Sequence, residues 1–241
     1  MIRKTITYLA SLTLFACANH PTYYPEEAEL ALFKNTGESE FKMAKNGIER
    51  GYAASGLFAV SDRFFGLAKY SLSRHGNCDT CTTNQRDYLE AAVGLGGLNL
   101  GKRRGELLMG AGSGKTVSIE TADPLSIGGV KQASADYYRS YLQYNLALME
   151  TQYLLAAATL RGAAVMNTTY ELRDVDTQNL LTVDGKRWAA FIEPAATLKA
   201  HWNGVSIYWQ LGLSFPISGD TAFNHDRAWS VAGLSYRLDL F

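Results

Sequence analysis

Histidine, cysteine and proline are scarce in this 241-residue sequence, at four, three and five residues. With so few prolines, long stretches of chain can pair without a missing ladder donor. The histidines (20, 75, 201 and 225) are too dispersed for a metal or acid–base cluster. One Cys-x-x-Cys, Cys78 and Cys81, falls short of the four ligands of structural zinc, even with His75 as a third. A thioredoxin-like redox role would need a βαβ setting, which the pattern lacks. No apolar run approaches the about 20 residues of a spanning helix; the best candidate, Tyr153 to Met166, is cut by Arg161. Basic and acidic residues both number 23, so nothing in the charge favours nucleic acid. Gly110-Ala-Gly-Ser-Gly-Lys-Thr116 suggests a phosphate loop, but the first glycine of that motif should fall at Met109 and no helical pattern follows. It reads instead as a glycine-rich strand end passing into a loop. No cofactor, metal ligand or catalytic residue is expected.

Glycine (22) and tyrosine (14), by contrast, are plentiful, as suits a glycine-kinked sheet with aromatic belts. From Glu38 onward, period-2 segments recur between turn signals. Ten are expected, at about 38–46, 49–60, 63–73, 86–97, 103–114, 136–149, 152–169, 187–200, 203–215 and 228–241. After a tight turn at Asn46-Gly47 the connections alternate. Those at 61–62, 99–102, 149–151 and 201–202 are short. Those at 74–85, 115–135, 170–186 and 216–227 are long.

The clean strands predict facing. Val205, Ile207, Trp209, Leu211 and Leu213 share one face; Ser206, Tyr208, Gln210, Gly212 and Ser214 share the other. Leu234, Tyr236, Leu238 and Leu240 point out in the last strand, and Phe241 is out of phase with them. Leu89, Ala91, Val93 and Leu95 oppose Glu90. Ile192, Pro194, Ala196 and Leu198 oppose Glu193, Thr197 and Lys199, with a bulge expected at Pro194. The inward set holds Glu40, Lys42, Lys69, Glu90, Glu106, Arg139, Arg161, Glu193, Lys199, Arg237 and Asp239. Trp188 and Trp202 are fourteen residues apart, roughly 36 Å of height at ~3.4 Å per residue and ~40° tilt, which matches two girdles around an apolar band. Trp229, Tyr137 and Tyr138 are expected in the outer girdle. A soluble β-sandwich would also alternate, but its outward face would be charged. Here the face opposite the charges is Leu, Val, Ile, Trp and Tyr, strand after strand.

The N-terminus reads as a targeting segment, with Arg3 and Lys4 before an apolar stretch from Ile6 to Ala16. Its end, Leu14-Phe15-Ala16-Cys17, resembles the lipobox of bacterial lipoproteins. That resemblance implies a signal peptide over 1–16 and acylation of Cys17. An exported chain meets an oxidising compartment, so Cys78 and Cys81 are expected to form a disulfide. Residues 17–37 are expected to be a periplasmic tether, with a helical turn at Glu26–Phe33.

The final strand, Trp229 to Phe241, resembles the last strand of bacterial outer-membrane barrels, which assembly machinery reads. With the lipobox and Gly47-to-Asp62, followed by Arg63-Phe-Phe-Gly66, the layout resembles small outer-membrane β-barrel lipoproteins of Bacteroidetes. The expectation is an all-β, transmembrane antiparallel up-and-down β-barrel of about ten strands over 38–241. Outer-membrane lipid and the barrel-assembly machinery would be its partners, with an unknown ligand at the external loops. A ten-stranded lumen is narrow, so Glu90, Glu106, Arg139, Arg161, Glu193, Lys199, Arg237 and Asp239 are expected to pair and plug it. Two alternatives remain open. In one, Asp220, His225 and Asp226, or Asp174 and Asp176, serve an omptin-like rim hydrolase; in the other, the lumen is a narrow solute channel.

Overall fold

The computed structural model describes residues 23, 25–46, 51–77, 82–120, 131–174, 180–184, 186–219 and 227–239. Twelve strands make one sheet: β1 (Glu38–Asn46), β2 (Tyr52–Ala59), β3 (Phe64–Asn77), β4 (Thr82–Gly96), β5 (Gly105–Glu120), β6 (Lys131–Glu150), β7 (Leu154–Asp174), β8 (Leu180–Asp184), β9 (Arg187–Trp202), β10 (Val205–Leu213), β11 (Phe215–Gly219) and β12 (Ala228–Asp239). β8 leads into β9 and β11 continues β10, so the twelve form ten staves. β12 pairs with β1 and β7 with β9, which closes an antiparallel barrel. The start of β1, the end of β12 and the connections 60–63, 97–104, 151–153 and 203–204 share one rim, the turn end; the other connections between staves lie at the opposite, loop end.

Alternation produces this wall and is inverted relative to a soluble protein. Met43 is 73% exposed while its neighbour Lys42 is 6% exposed. On β10, Val205, Ile207, Trp209, Leu211 and Leu213 face out, and Ser206, Tyr208, Gln210 and Gly212 face in. Leu89 and Val93 oppose buried Glu90, and Ile192 and Leu198 oppose buried Glu193 and Lys199. An outward apolar face on a ring with buried charges is the arrangement expected in lipid.

Inside, aromatic rings lie on glycines of adjacent staves. A Cβ at Gly114 would meet the Tyr137 ring at 2.6 Å, one at Gly110 the Tyr141 ring at 2.5 Å, and one at Gly233 the Tyr208 ring at 2.6 Å. The Gly110–Thr116 stretch is therefore neither loop nor phosphate cradle. It lies within β5, and its residues pair with β4 and β6 in unbroken register.

Several expectations need correction. β3 to β8 run further than the apolar pattern indicates, so much of 74–85, 115–135 and 170–186 is strand. Beyond an apolar band both faces of a wall meet water, and hydrophobic alternation fades. The turn expected at 201–202 lies at Asn203-Gly204, with φ of 47° and 81°. Two consecutive left-handed residues are the signature of a tight hairpin turn, for which Asn-Gly is well suited. Pro194 sits in register opposite Leu160 without a bulge; the shift occurs between Pro216 and Ser218 on β11. Trp229 and Tyr137 are buried in the lumen, whereas Tyr138 faces out. Parity requires this, since Trp229 shares a face with Ser235, and Tyr137 with Arg139.

The largest departure concerns the segment before β1. No helix forms at Glu26–Phe33. Residues 25–32 carry no regular structure and are buried inside the ring. The proximal tether is a lumen segment, running from the level of Tyr137 and Phe191 down to Gly37 at the turn end.

Gly114→Ala should cost about 1–3 kcal/mol through overpacking against Tyr137. Gly66→Ala, which has no neighbour within 4 Å of the new methyl, should change stability by less than about 0.5 kcal/mol. The two urea midpoints, measured in the same detergent, check this.

Candidate functional site

Each of the four apolar clusters within the barrel contains a residue of the N-terminal segment. Tyr23 packs with Tyr88, Tyr137 and Phe191. Ala28 joins Tyr208, Trp229 and Val231. Leu30 and Leu32 meet Leu155 and Ala157. Ala31 lies among Leu57, Phe65 and Leu108. The Tyr23 ring stacks on Phe191 with centroids 4.9 Å apart.

The polar contacts are more systematic still. Every carbonyl from Glu26 to Leu32 accepts a hydrogen bond from a wall side chain. Arg161 donates to Glu26 O at 2.5 Å and, with Lys69, to Glu27 O at 3.2 Å. Gln210 donates to Ala28 O at 2.9 Å; Gln143 and Asn145 donate to Glu29 O at 2.5 and 2.7 Å. Lys42 donates to Leu30 O at 2.8 Å. Arg237 and Arg104 donate to Ala31 O and Leu32 O, both at 2.7 Å. In return, Ala28 N donates to Gln210, and Ala31 N and Leu32 N donate to the two oxygens of Glu106.

Two ion networks surround these bonds. Near the Tyr23 level, Glu90 accepts from Arg139 at 2.9 Å and from the Tyr88 and Tyr141 hydroxyls at 2.7 Å. Glu193 accepts from Arg161 at 2.6 Å, Arg139 at 3.3 Å and the Tyr23 hydroxyl at 2.7 Å. The Arg139 guanidinium also lies 4.8 Å from the Tyr141 ring centroid. Lower down, the segment supplies the carboxylates. Glu29 pairs with Lys42 at 2.9 Å and Lys69 at 3.3 Å. Lys69 also lies 3.6 Å from Glu27 and 3.7 Å from Glu26, and Glu26 bonds Arg86. Glu40 bonds Lys199 and takes Arg237 at 2.9 Å. At the turn-end rim Glu150 holds Arg104 bidentately, at 2.8 and 2.5 Å, and Lys34 at 3.3 Å.

The structure therefore places Glu90, Glu106, Arg139, Arg161, Glu193, Lys199 and Arg237 in one lumen. They do not close it by pairing only with one another. Arg161, Glu106 and Arg237 spend part of their bonding on the segment. The Asp239 side chain lies outside the description, as do Cys17, Cys78, Cys81, Asp176, Asp220, His225, Asp226 and Phe241. Asp174 ends β7. Arg86, Gln143 and Asn145 lay outside the expected set. The parity of Arg139 on β6 points Gln143 and Asn145 inward, and that of Glu90 on β4 points Arg86 inward. A neutral amide carries no charge-pairing signal along an apolar strand, and Arg86 stands at the very first position of the expected strand, on its border with the expected loop.

Among the described residues, one cavity of about 20 Å³ lies between Pro25–Glu27 and β1 to β4, and another of about 10 Å³ lies beside Lys42 and Gln210. Each has room for about one water. Among the described residues no cluster of His, Cys, Asp and Glu could hold a metal. His201 Nδ1 stands 2.8 Å from Ser206 Oγ, but the two are opposed partners in the β9–β10 ladder. No carboxylate hydrogen-bonds that imidazole among the described residues, so the pair lacks the third group of a nucleophilic triad.

The fold has counterparts among solved structures. The translocator domain of the autotransporter NalP from Neisseria meningitidis matches with a TM-score of 0.51 at 9% identity, over 83% of this chain and 86% of that one. LpxR from Salmonella typhimurium aligns over 83% of this chain and 99% of its own, with a TM-score of 0.40 and 7% identity. The sequence matches no protein-family model, and no curated protein sequence significantly. The likeness is one of barrel architecture.

Glu193→Gln keeps the shape but leaves Arg139 and Arg161 short of a carboxylate, and should cost about 3–5 kcal/mol. Glu171→Gln, which breaks a half-exposed pair with Arg173, should cost at most about 1 kcal/mol. Equilibrium unfolding in urea of the two variants tests the contrast.

Proposed function

We propose that this chain is an outer-membrane β-barrel protein without catalysis, lipid-anchored at Cys17, whose lumen is closed at rest by its own N-terminal segment. The observation that carries the reading is the burial of residues 25–32 inside the ring, with each carbonyl from Glu26 to Leu32 bonded to the wall. The outward apolar face supports a lipid setting, and the architectural likeness to the NalP translocator domain agrees with it. A role in envelope structure, or in binding through the loop end, follows from a rigid wall and a sealed lumen. Among the described residues the Ser206–His201 pair has no orienting acid, and the cavities beside the segment are of one-water size, as a closed lumen requires.

The anchor and the lumen segment constrain each other. Cys17 lies six positions before Tyr23, a reach of at most about 20 Å. Tyr23 packs on Phe191, eleven residues above Trp202, which is roughly 29 Å of height above the turn end. On that path an acylated Cys17 falls short of the turn-end leaflet that a tether implies.

The purified protein should migrate faster on a gel when unboiled than when boiled, as a folded barrel does. In planar bilayers the intact chain should show no stable conductance. Solubility without membrane, with mobility unchanged by boiling, would refute the barrel; steady channels of porin size would refute the closed lumen.

A further inference from the structure

The way the segment is held says what else the lumen can hold. An extended peptide normally joins a protein by adding to a sheet edge, but a closed ring has no edge. This wall has side chains in that role. Gln143, Asn145 and Gln210 are uncharged, fully buried amides that each donate to a main-chain carbonyl of the segment while being braced by wall side chains, Asn145 by Glu106 and Thr159 and Gln210 by Thr197. Gln210 both donates to and accepts from Ala28, the pattern of a sheet neighbour. These contacts read main chain, and any extended peptide presents the same groups.

Charge supplies the selectivity. Seven basic groups of the wall point inward, namely Lys42, Lys69, Arg86, Arg139, Arg161, Lys199 and Arg237. Five described wall carboxylates lie among them: Glu40, Glu90, Glu106 and Glu193, with Glu38 beside Arg237 at the rim. The remaining excess of cations is met by Glu26, Glu27 and Glu29 of the segment. Emptied, the lumen would carry a net positive charge in a narrow, partly desolvated passage.

We infer that the lumen is a binding site for an extended acidic peptide, that residues 26–32 are its resident occupant, and that the emptied barrel is an anion-selective pore. The inference rests on the closed-lumen reading and goes beyond it, because the occupant is exchangeable. Exchange is physically accessible because the segment meets β1 through Lys34, Asn35 and Thr36, all exposed, and residues 25–32 form no strand with the wall.

A specific-protease site replacing residues 34–36 allows the segment to be severed after the full chain has folded. The probe is a fluorescent peptide of residues 22–36. The severed barrel should take it up in exchange for its own segment. A peptide with Gln at positions 26, 27 and 29 should bind at least about thirtyfold more weakly, the loss expected from removing partners of buried charges. Release should open a conductance whose reversal potential in a salt gradient shows anion preference, and the acidic peptide should close it. Failure to exchange over days, equal binding of the Gln peptide, or a cation-selective current would each overturn the inference. Conductance before cleavage would instead overturn the closed-lumen reading. If the cleavable variant does not fold, E26Q/E27Q/E29Q in the intact chain serves: it should show intermittent anion currents, and a silent bilayer would count against the proposal.

Discussion

A closed barrel has no free backbone on its wall, so whatever crosses its lumen must be hydrogen-bonded by side chains. Much of this molecule follows from that constraint. A buried carbonyl without a partner costs about 1–3 kcal/mol, and seven in a row would exceed much of the stability of an ordinary domain. The seven from Glu26 to Leu32 are met by eight wall residues drawn from the turn before β5 and from β1, β3, β6, β7, β10 and β12. The inward face is polar because it replaces a sheet neighbour.

The charges obey a second constraint, balance in a space without bulk water. Glu90 and Glu193 neutralise Arg139 and Arg161 from opposite sides of the ring, and tyrosine hydroxyls fill much of their remaining acceptor capacity. Lys42 and Lys69 find their carboxylates on the segment. Buried pairs of this kind need not add net stability. Their effect is positional: a slip of one residue in a stave that bears such a charge would send it into the apolar face.

The sequence shows much of this fold because a barrel writes its wall in parity. Charges at Glu90, Arg161, Glu193 and Lys199 fixed the inward face of their staves, and the exposed residues opposite are apolar as the alternation requires. Trp229 and Tyr137 face the lumen because parity, not aromatic type, sets the facing of a stave. Strand ends beyond Gly114 and Thr169 were illegible because alternation of hydrophobicity needs lipid on one side. The lumen segment was illegible for a different reason. Pro25-Glu-Glu-Ala-Glu-Leu-Ala-Leu32 has no strand period, and its three acids look solvated. Only the excess of inward cations on the wall pointed to a missing partner, and Arg86, which makes that excess plain, lay in a stretch without a charge-paired neighbour.

The same contacts bear on how the barrel closes. Arg237 lies on the last stave, yet it bonds Ala31 O, in the segment ahead of the first stave, and Glu40 on that stave. The β1–β12 seam and the seated segment therefore share a side chain. No subset of neighbouring staves can satisfy the segment, since Lys69 lies on β3, Gln143 on β6 and Gln210 on β10. An open sheet would leave its carbonyls to water and its glutamates unpaired. The closed ring would be left with uncompensated lysines and arginines if the segment stayed outside. Each state thus favours the other, and seating the segment stabilises the seam that encloses it. Severing the covalent link at residues 34–36 would not remove that coupling, because the contacts that hold the segment are made by the wall and not by the connection.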